Sequence, residues 1–359
     1  MKAEAPVMIM AGGTGGHVFP ALAVAKQLRN WGIPVVWLGT QRGLEARLVP
    51  QAGISIEWIG VMGLRGGGLK RLSLAPVMMA KALWQAATAL QRHKPRLVLG
   101  MGGFASGPGG LMARLLNIPL VVHEQNAIAG MTNRWLSRIA NQVLEAFPNT
   151  FSPPRNALLV GNPVREEIAA LPEPAERFAV RTGRSRLLVL GGSQGALALN
   201  GLVPAALALL EAKERPEIWH QAGKNMLESA AQAYRQSGVN VRLEPFIDNM
   251  ATAYGWADLV ICRAGALTVA ELAAAGAGAV LVPFPFAVDD HQTANARFLQ
   301  QGGAAVIVQQ VELTAERLMH LLQALLSDRT RLLAMAEAAR RLAHIDAAER
   351  VAALCLGVR

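Results

Sequence analysis

Residues 7–30 have the sequence VMIMAGGTGGHVFPALAVAKQLRN, in which an apolar run, a glycine turn and a helical pattern follow one another. The run at 7–11 is uninterrupted, which is typical of a strand buried on both faces of a parallel sheet. After the glycines, apolar residues from 21 to 28 recur at helical spacing. Because the first amides of a helix have no partner within it, this order of elements is typical of a phosphate-binding site. The stretch predicts such a site, with His17 beside it.

The composition is that of a folded protein with sizeable cores. The chain has 359 residues, enough for two domains, and its 52% hydrophobic and 17% charged residues exclude disorder. Cys262 and Cys355 form neither a disulfide framework nor a metal-binding spacing, so we expect reduced cysteines in a cytosolic protein. The apolar part of the amino terminus is too short for a secretory signal. The longest uncharged stretch, 272–288, is interrupted by glycines and prolines, so we expect no transmembrane helix.

The net charge of +10 favours anionic partners, which include nucleotides, nucleic acid and the acidic face of a membrane. Only 5% of the residues are aromatic, and basic and aromatic residues do not alternate as in nucleic-acid-binding surfaces. Nucleic acid is therefore the least favoured of the three.

Strand-like apolar runs alternate with helical patterns along nearly the whole chain, which predicts parallel sheets covered on both faces. The runs lie at 6–11, 34–38, 55–59, 96–100, 120–123 and 141–145, and again at 186–190, 217–221, 241–245, 259–262, 279–282 and 304–307. Prolines concentrate between these two sets, so we expect a hinge near 161–165 between domains 1–163 and 164–342. The last helix, about 343–359, is a candidate to pack back on the first domain.

Three glycine-rich loops each follow a predicted strand and precede a predicted helix: GGTGGH (12–17), GMGGFASGPGG (100–110) and GGSQGA (191–196). Glycine allows close approach of the backbone to an oxyanion and positive φ angles. One such loop could be a simple tight turn, but three at equivalent positions favour anion binding. No P-loop motif occurs, and neither second strand, ending at Thr40 or Gln221, offers the carboxylate of a dinucleotide site.

Glu271 is the acidic residue best placed for a ribose. It lies within the first turns of the helix predicted to start near Gly265, where a carboxylate can accept hydrogen bonds from both ribose hydroxyls. The alternative is a solvent-facing glutamate. Its nearly all-apolar neighbours make that alternative the weaker one.

Taken together, the motifs resemble the MurG family of glycosyltransferases, which add N-acetylglucosamine to the lipid-linked muramyl-pentapeptide of peptidoglycan. The resemblance runs from about residue 7 to the carboxyl terminus. It rests on the ordered set GGTGGHVFPALAVA, GMGGFASGPGG, HEQN, GNPVR, GGSQGA, CRAGALTVAEL and DDHQTANA. It implies an α/β GT-B fold, in which two Rossmann-like, doubly wound parallel-sheet domains face each other across a cleft. Phe104 stands where some relatives have tyrosine, so a role for that hydroxyl is not expected here.

The resemblance also implies the substrate contacts. Ser193 would contact the donor phosphate, Glu271 the ribose, and backbone atoms of Ile247 the uracil, while Gln292 and Asn295 would reach the sugar. The implied donor contacts are Thr14, Gly15, Gly16, Asn126, Arg165, Ser193, Ile247, Ala266, Leu267, Thr268, Val269, Glu271, Gln292 and Asn295, with Asn200 as a weaker candidate. The loops at 12–17 and 102–110 would face the pyrophosphate of the acceptor, with Gly13, Gly102, Gly103 and Ser106 as its contacts.

His17 is the first candidate for the general base, because an imidazole can take a proton at neutral pH. The alternative is that His17 only donates to a phosphate or caps the helix. His123 and Glu124 are rival bases, and His291 is a candidate for sugar recognition. The chain has Asp289 and Asp290 side by side but no Asp-x-Asp motif, so we expect no metal and no cofactor. Amides at 193–196 and 264–268 would then stabilise the leaving diphosphate. The resemblance implies inversion at the anomeric carbon.

A basic and apolar segment near residues 63–96 has two interpretations. On the residues alone, a helix that packs its apolar face in the core is favoured. A lipid-linked acceptor reverses that order, since the enzyme must then approach an anionic bilayer. The candidate membrane residues are Arg65, Lys70, Arg71, Leu74, Val77 and Trp84.

The expected partners are UDP-N-acetylglucosamine, the lipid-linked acceptor and an anionic membrane surface, without nucleic acid; cell-wall synthesis proteins are further candidates. The expected location is the cytoplasmic face of the bacterial inner membrane, as a peripheral protein. Two alternative functions stay open: an enzyme like UDP-N-acetylglucosamine 2-epimerase, and a non-catalytic module that binds a nucleotide sugar.

Overall fold

The structure is a computed structural model that describes residues 4–61, 68–153, 155–192 and 195–358; the side chains of 68–74 and of Val288 lie outside that description. The chain divides into two compact units. The N-terminal unit comprises Met1–Arg165 and His344–Arg359, and the C-terminal unit comprises Glu166–Ala343. The domain boundaries expected from the sequence were 163 and 342.

The N-terminal unit alternates strands and helices from its start. Its elements are β1 (Val7–Met10), α1 (Gly15–Asn30), β2 (Val35–Gly39), α2 (Glu45–Gln51), β3 (Ser55–Trp58), α3 (Gly68–His93), β4 (Leu97–Gly100), α4 (Ser106–Leu115), β5 (Leu120–Glu124), α5 (Met131–Leu136), β6 (Gln142–Glu145) and β7 (Leu158–Leu159). In the described part of this unit the sheet has seven strands in the order β3-β2-β1-β4-β5-β6-β7, and all its pairs are parallel.

The C-terminal unit repeats this plan. Its elements are α6 (Glu166–Ala169), α7 (Pro174–Ala179), β8 (Arg186–Leu190), α8 (Leu197–Ala208), β9 (Glu217–Gln221), α9 (Leu227–Ser237), β10 (Arg242–Glu244), α10 (Met250–Trp256), β11 (Leu259–Cys262), α11 (Ala266–Ala275), β12 (Ala279–Leu281), α12 (His291–Gln301), β13 (Ala305–Ile307), α13 (Ala315–Leu326) and α14 (Arg329–Arg341). Over its described residues the sheet has six parallel strands in the order β10-β9-β8-β11-β12-β13. The prediction of two doubly wound parallel sheets is confirmed.

Each sheet has a point where the strand order reverses direction. It lies between β1 and β4 in the N-terminal unit and between β8 and β11 in the C-terminal unit. In open α/β sheets such switch points leave a crevice at the carboxyl ends of the strands, where ligands bind. All three glycine-rich loops of the sequence follow strands at these two points.

The last helix, α15 (Ala347–Gly357), belongs to the N-terminal unit. Its buried residues Val351 and Cys355 share a hydrophobic cluster with Val24 and Leu28 of α1. The carboxyl terminus therefore completes the layer of helices that covers one face of the first sheet.

The strands lie where the apolar runs predicted them, and β7 is an addition. Its two residues, Leu158 and Leu159, pair with β6, although the proline-rich sequence around them carries no strand pattern. Burial raises the pKa of both cysteine thiols to about 12, so neither is a ready nucleophile. Among the described residues, no helix has the length and apolar character needed to span a bilayer.

Candidate active site

Two glycine loops of the N-terminal unit meet at the carboxyl ends of β1 and β4. Gly103 has φ +83°, and a Cβ on it would lie 2.4 Å from the carbonyl oxygen of Gly12. Gly102 has φ +89°, and a Cβ there would lie 2.8 Å from Cε1 of His17. Both positions therefore require glycine, for space and for backbone conformation. The imidazole of His17 packs directly against the second loop.

Glu45 holds the first glycine loop from behind. Its fully buried carboxylate accepts hydrogen bonds from the N–H of Gly13 at 2.9 Å, the N–H of Thr40 at 3.1 Å and the hydroxyl of Thr40 at 2.7 Å. No sequence pattern signalled Glu45, because a glutamate in the first turn of a helix usually only complements the helix dipole. The amide of Gly13, expected at the acceptor pyrophosphate, is occupied by this carboxylate. The amides of Gly15 and Gly16, in the first turn of α1, have no carbonyl to bond within the helix.

Ser106 shapes the second loop. Its hydroxyl is fully buried and lies 2.7 Å from the carbonyl oxygen of Gly102 and 3.0 Å from that of Met10. The expectation that Ser106 contacts the acceptor pyrophosphate is not supported, because the hydroxyl is committed to backbone carbonyls away from solvent.

His17 is half-buried, and its Nδ1 lies 2.8 Å from Oε1 of Gln125. His123, the first rival base, is fully buried, with Nδ1 3.0 Å from Nε2 of Gln125 and Nε2 3.0 Å from the carbonyl oxygen of Gly161. Burial lowers the pKa of His123 to about 4. With both ring nitrogens bonded, His123 has no nitrogen left for a substrate.

Glu124, the second rival, is buried and saturated with donors. Its carboxylate accepts from the backbone N–H and the side-chain amide of Asn126 at 3.0 and 3.1 Å, from the N–H of Gly130 at 3.1 Å and from the side chain of Asn133 at 2.9 Å. This leaves His17 as the candidate base best placed to meet a substrate. Asn126 itself is half-buried just after β5, at the same edge of the sheet.

Two other predicted contacts lie near the start of α1. Thr14, the residue before the helix, is exposed. Arg165 is half-buried, and its guanidinium carbon lies 5.7 Å from the ring centroid of Phe19, a cation–π distance. Phe104 is 55% exposed.

In the C-terminal unit, α11 begins at the carboxyl end of β11. Gly265 precedes the helix in an extended conformation, so the amides of Ala266, Leu267 and Thr268 form its open first turn. The amide of Val269 already donates to the carbonyl of Gly265 at 2.9 Å, and its side chain is fully buried. Val269 was expected to contact the donor; the structure instead makes it a core residue.

Gln292 and Asn295 of α12 hold the turn between β11 and α11. Oε1 of Gln292 accepts from the amides of Ala264 at 3.2 Å and Phe284 at 2.9 Å, which leaves its NH₂ group as the available donor. Asn295 is fully buried and donates to the carbonyl of Ala264 at 3.2 Å. Its expected contact with sugar hydroxyls is not supported. His291 is half-buried at the first position of the same helix.

Four donor candidates remain: Glu271, Ile247, Asn200 and Ser193. Glu271 is buried on α11, with the hydroxyl of Tyr254 3.4 Å from its carboxylate. The amide of Ile247 donates to Oε1 of Gln221 at 2.9 Å, a bond that nothing in the sequence pattern signalled. Asn200 is buried and donates to the carbonyl of Ala222 at 3.0 Å. Ser193 lies outside the described residues.

Gly195 lies just before Ala196 and helix α8. It has φ +81°, and a Cβ on it would lie 2.4 Å from the carbonyl oxygen of Ala222. This position therefore requires glycine, for space and for backbone conformation.

The candidate membrane residues lie on or before α3. Arg65 is outside the described residues, and so are the side chains of Lys70, Arg71 and Leu74. Val77 is 67% exposed and Trp84 68% exposed, while Ala82, Ala86 and Leu90 of the same helix are buried. The helix thus packs one face in the core and leaves large apolar side chains on another. Neighbouring α4 and α5 also expose Leu115, Met131 and Trp135.

No group of three or more His, Cys, Asp or Glu side chains among the described residues is placed to hold a metal ion. The polar side chains described above bond instead to the backbone at glycine turns and helix starts.

Two doubly wound parallel-sheet domains, with helix starts and glycine turns at both switch points, have the architecture of GT-B glycosyltransferases. Models of the glycosyltransferase family 28 N-terminal and C-terminal domains match residues 7–145 and 186–351. The chain belongs to glycosyltransferase family 28.

Full-length relatives agree with this assignment. The chain is 58% identical over 98% of both chains to proteins of Nitrosococcus oceani and Alkalilimnicola ehrlichii, each named UDP-N-acetylglucosamine–N-acetylmuramyl-(pentapeptide) pyrophosphoryl-undecaprenol N-acetylglucosamine transferase. The crystal structure of MurG from Acinetobacter baumannii is 45% identical, covers 98% of this chain and 99% of its own, and superposes with a TM-score of 0.85. A putative UDP-N-acetylglucosamine 2-epimerase from Listeria monocytogenes, 15% identical with a TM-score of 0.68 over 97% of this chain and 95% of its own, shares the fold alone.

The buried His123 makes the stability of the N-terminal unit depend on pH. Because its folded pKa of about 4 lies below the ordinary 6.5, the unfolded chain binds more protons between these values, and stability falls as pH is lowered through that window. As pH falls through this window, the unfolding free energy of the wild-type protein should decrease by up to about 3 kcal/mol more than that of His123→Asn. Urea unfolding followed by hydrogen exchange of N-terminal-unit peptides measures the difference, and equal losses in both proteins would contradict it. His220 is buried in the other unit, and its pKa is lowered to about 3. Because wild type and His123→Asn both contain it, it does not contribute to the difference between them.

Proposed function

We propose that this protein transfers N-acetylglucosamine from UDP-N-acetylglucosamine to the 4-hydroxyl of undecaprenyl-pyrophosphoryl-N-acetylmuramyl-pentapeptide, the step from lipid I to lipid II in peptidoglycan synthesis. The observation that carries the proposal is 58% identity, over 98% of both chains, to transferases with this name. The epimerase alternative has only a likeness of fold to support it, and the half-buried histidine at the glycine loops favours an enzyme over a binding module.

The donor is assigned to the C-terminal unit. The open amides at the start of α11 and the loop at 191–196, with Ser193, meet the diphosphate, where they stabilise the charge that develops on the leaving group. Glu271 accepts from the ribose hydroxyls. Since the amide of Ile247 is already bonded to Gln221, its carbonyl is the group that remains for the uracil. The NH₂ group of Gln292 donates to a sugar hydroxyl.

The N-terminal unit supplies the acceptor side and the base. The first amides of α1, at Gly15 and Gly16, and the backbone of Gly102 and Gly103 meet phosphate groups beside His17. Asn126 and Arg165 keep their assignment as substrate contacts at the edge of this loop pair. No step is assigned to a metal or a cofactor.

In the reaction, the acceptor oxygen attacks the anomeric carbon from the face opposite the diphosphate. The new bond forms between these two atoms as the bond from the anomeric carbon to the UDP oxygen breaks, and that oxygen keeps the electron pair. His17 takes the proton of the attacking hydroxyl. A single displacement converts the α-linked donor into a β-linked product.

His17→Ala should lower kcat by about 10²–10⁴-fold, the usual contribution of general base catalysis, and leave the Kd for UDP-N-acetylglucosamine unchanged. His320→Ala, at an exposed histidine of the C-terminal unit, is the matched control. The assay combines purified enzyme, UDP-N-acetylglucosamine and the lipid-linked acceptor. Disaccharide formation supports the transferase, N-acetylmannosamine or its nucleotide supports the epimerase, and binding without a product supports the module. Full turnover in His17→Ala would remove the base assignment.

The acceptor also determines the location, which we place at the cytoplasmic face of the inner membrane, peripherally bound. The exposed Val77 and Trp84 rest in the interface, with Arg65, Lys70, Arg71 and Leu74 beside them in sequence. Basic residues near an anionic surface each add about 1 kcal/mol to such binding.

Trp84→Glu should weaken binding to anionic phospholipid vesicles by about tenfold or more, because it removes a large apolar anchor and adds a repelled charge. Val311→Glu, at a residue 86% exposed on the C-terminal unit, carries the same charge change away from α3 and is the control. Vesicle co-sedimentation measures both. Equal binding of the two variants would place the membrane contact elsewhere.

A further inference from the structure

Three side chains form a continuous hydrogen-bonded relay at the end of β5. His17 Nδ1 lies 2.8 Å from Oε1 of Gln125, Gln125 Nε2 lies 3.0 Å from Nδ1 of His123, and His123 Nε2 lies 3.0 Å from the carbonyl oxygen of Gly161. Gln125 is 1% exposed and His123 fully buried. Neither residue has a part in the reaction as written above, and their burial calls for an explanation.

The direction of the relay follows from its last member. A backbone carbonyl only accepts, so Nε2 of His123 carries the hydrogen. Burial lowers the pKa of His123 to about 4, so its ring is neutral near pH 7 and Nδ1 holds a lone pair. Nε2 of Gln125 therefore donates to that nitrogen.

A second contact fixes the Gln125 amide independently. Its Nε2 also lies 3.2 Å from the backbone carbonyl oxygen of His123, a group that cannot donate. The nitrogen end of the amide must face His123, so Oε1 faces His17. Because Oε1 only accepts, His17 carries its hydrogen on Nδ1.

We propose that Gln125 and His123 are positioning residues that hold neutral His17 as the Nδ1–H tautomer, so that the lone pair on Nε2 is the one that takes the acceptor proton. This rests on the proposed function, in which His17 is the base. The other tautomer would bring the lone pair of Nδ1 against that of Oε1 at a partly buried contact.

The relay orients the ring with a neutral group. In a Ser-His-Asp triad, a carboxylate both selects the tautomer and stabilises the imidazolium. Here an amide selects the tautomer without adding charge. Glu124, the neighbouring carboxylate, is already bonded to Asn126, Gly130 and Asn133. The ring lies close to Gly102, where an added Cβ would come within 2.8 Å of its Cε1, and this proximity limits its rotation.

The test is nitrogen-15 NMR of histidine-labelled full-length protein near pH 8, where imidazoles are mostly neutral. The chain has seven histidines, and the spectrum of His17→Ala identifies the signals of His17. We expect wild-type His17 to carry hydrogen on Nδ1 and a bare Nε2. Gln125→Met keeps the length of the side chain but removes both bonds, so His17 should show a mixture of tautomers.

Turnover provides the second measurement. Gln125→Met should lower kcat by about tenfold or more and leave the KM for UDP-N-acetylglucosamine unchanged, since it impairs only the base. Gln125→Glu keeps an oxygen that accepts from His17 and should keep the Nδ1–H tautomer, while its second oxygen faces the two acceptors of His123 that Gln125 Nε2 donates to. The control is Gln85→Met, the same substitution at a half-buried glutamine, which removes an exposed bond, 2.8 Å from the amide of Gly60, and should stay within about twofold of wild type.

If His17 of the wild-type protein carries its hydrogen on Nε2, the relay is overturned, whatever the kcat values of the variants. Full turnover in His17→Ala would remove the base and leave the tautomer result standing, so the two failures are distinguishable. If Gln125→Met does not fold, Gln125→Glu replaces it: its carboxylate still accepts from His17, so Nδ1 of His17 should carry hydrogen. A bare Nδ1 in Gln125→Glu would also overturn the proposal.

Discussion

The site of the N-terminal unit depends on the close approach of two backbones. Gly103 comes so near the carbonyl of Gly12 that no side chain fits between them, and Gly102 leaves only enough room for the ring of His17. The parallel sheet sets this geometry, because β1 and β4 are neighbours and their carboxyl ends release both loops at one edge. Glu45 and Ser106 then hold the loops from the protein side. The position of the imidazole follows from these constraints.

Buried polar groups in this protein mostly serve the backbone. A buried carboxylate or amide must be hydrogen-bonded, and the nearest unsatisfied groups at a glycine turn are backbone amides and carbonyls. Glu124, Asn295 and Gln221 all meet that need. Gln292 meets it with its oxygen, and its nitrogen is the group that we assign to the donor sugar. Residue types that resemble substrate contacts thus separate into those that build the loop and those with a group still available.

The sequence predicts the sheets, the turns and the family well, because apolar runs, glycine turns and motif order are local patterns. It does not predict burial at single positions. Val269 and Asn295 lie in a binding motif, yet tertiary packing turns them inward. Glu45 and Gln125 were missed because their partners, Gly13 and His17, lie 32 and 108 residues away along the chain. The amphipathic α3 left two interpretations open, and in the structure the helix buries one face, at Ala86 and Leu90, while Val77 and Trp84 stay exposed.

The contact between His17 and Gly102 is the central claim, and Gly102→Ala tests it most directly. The added methyl would lie 2.8 Å from the imidazole at a φ of +89°, so the ring or the loop must move. The control is Gly357→Ala on α15 of the same unit, where the methyl would meet no described atom within 4 Å. We expect kcat for disaccharide formation to fall by about tenfold or more in Gly102→Ala, with unchanged affinity for UDP-N-acetylglucosamine, and to stay near wild type in Gly357→Ala. Wild-type turnover in Gly102→Ala would contradict the account.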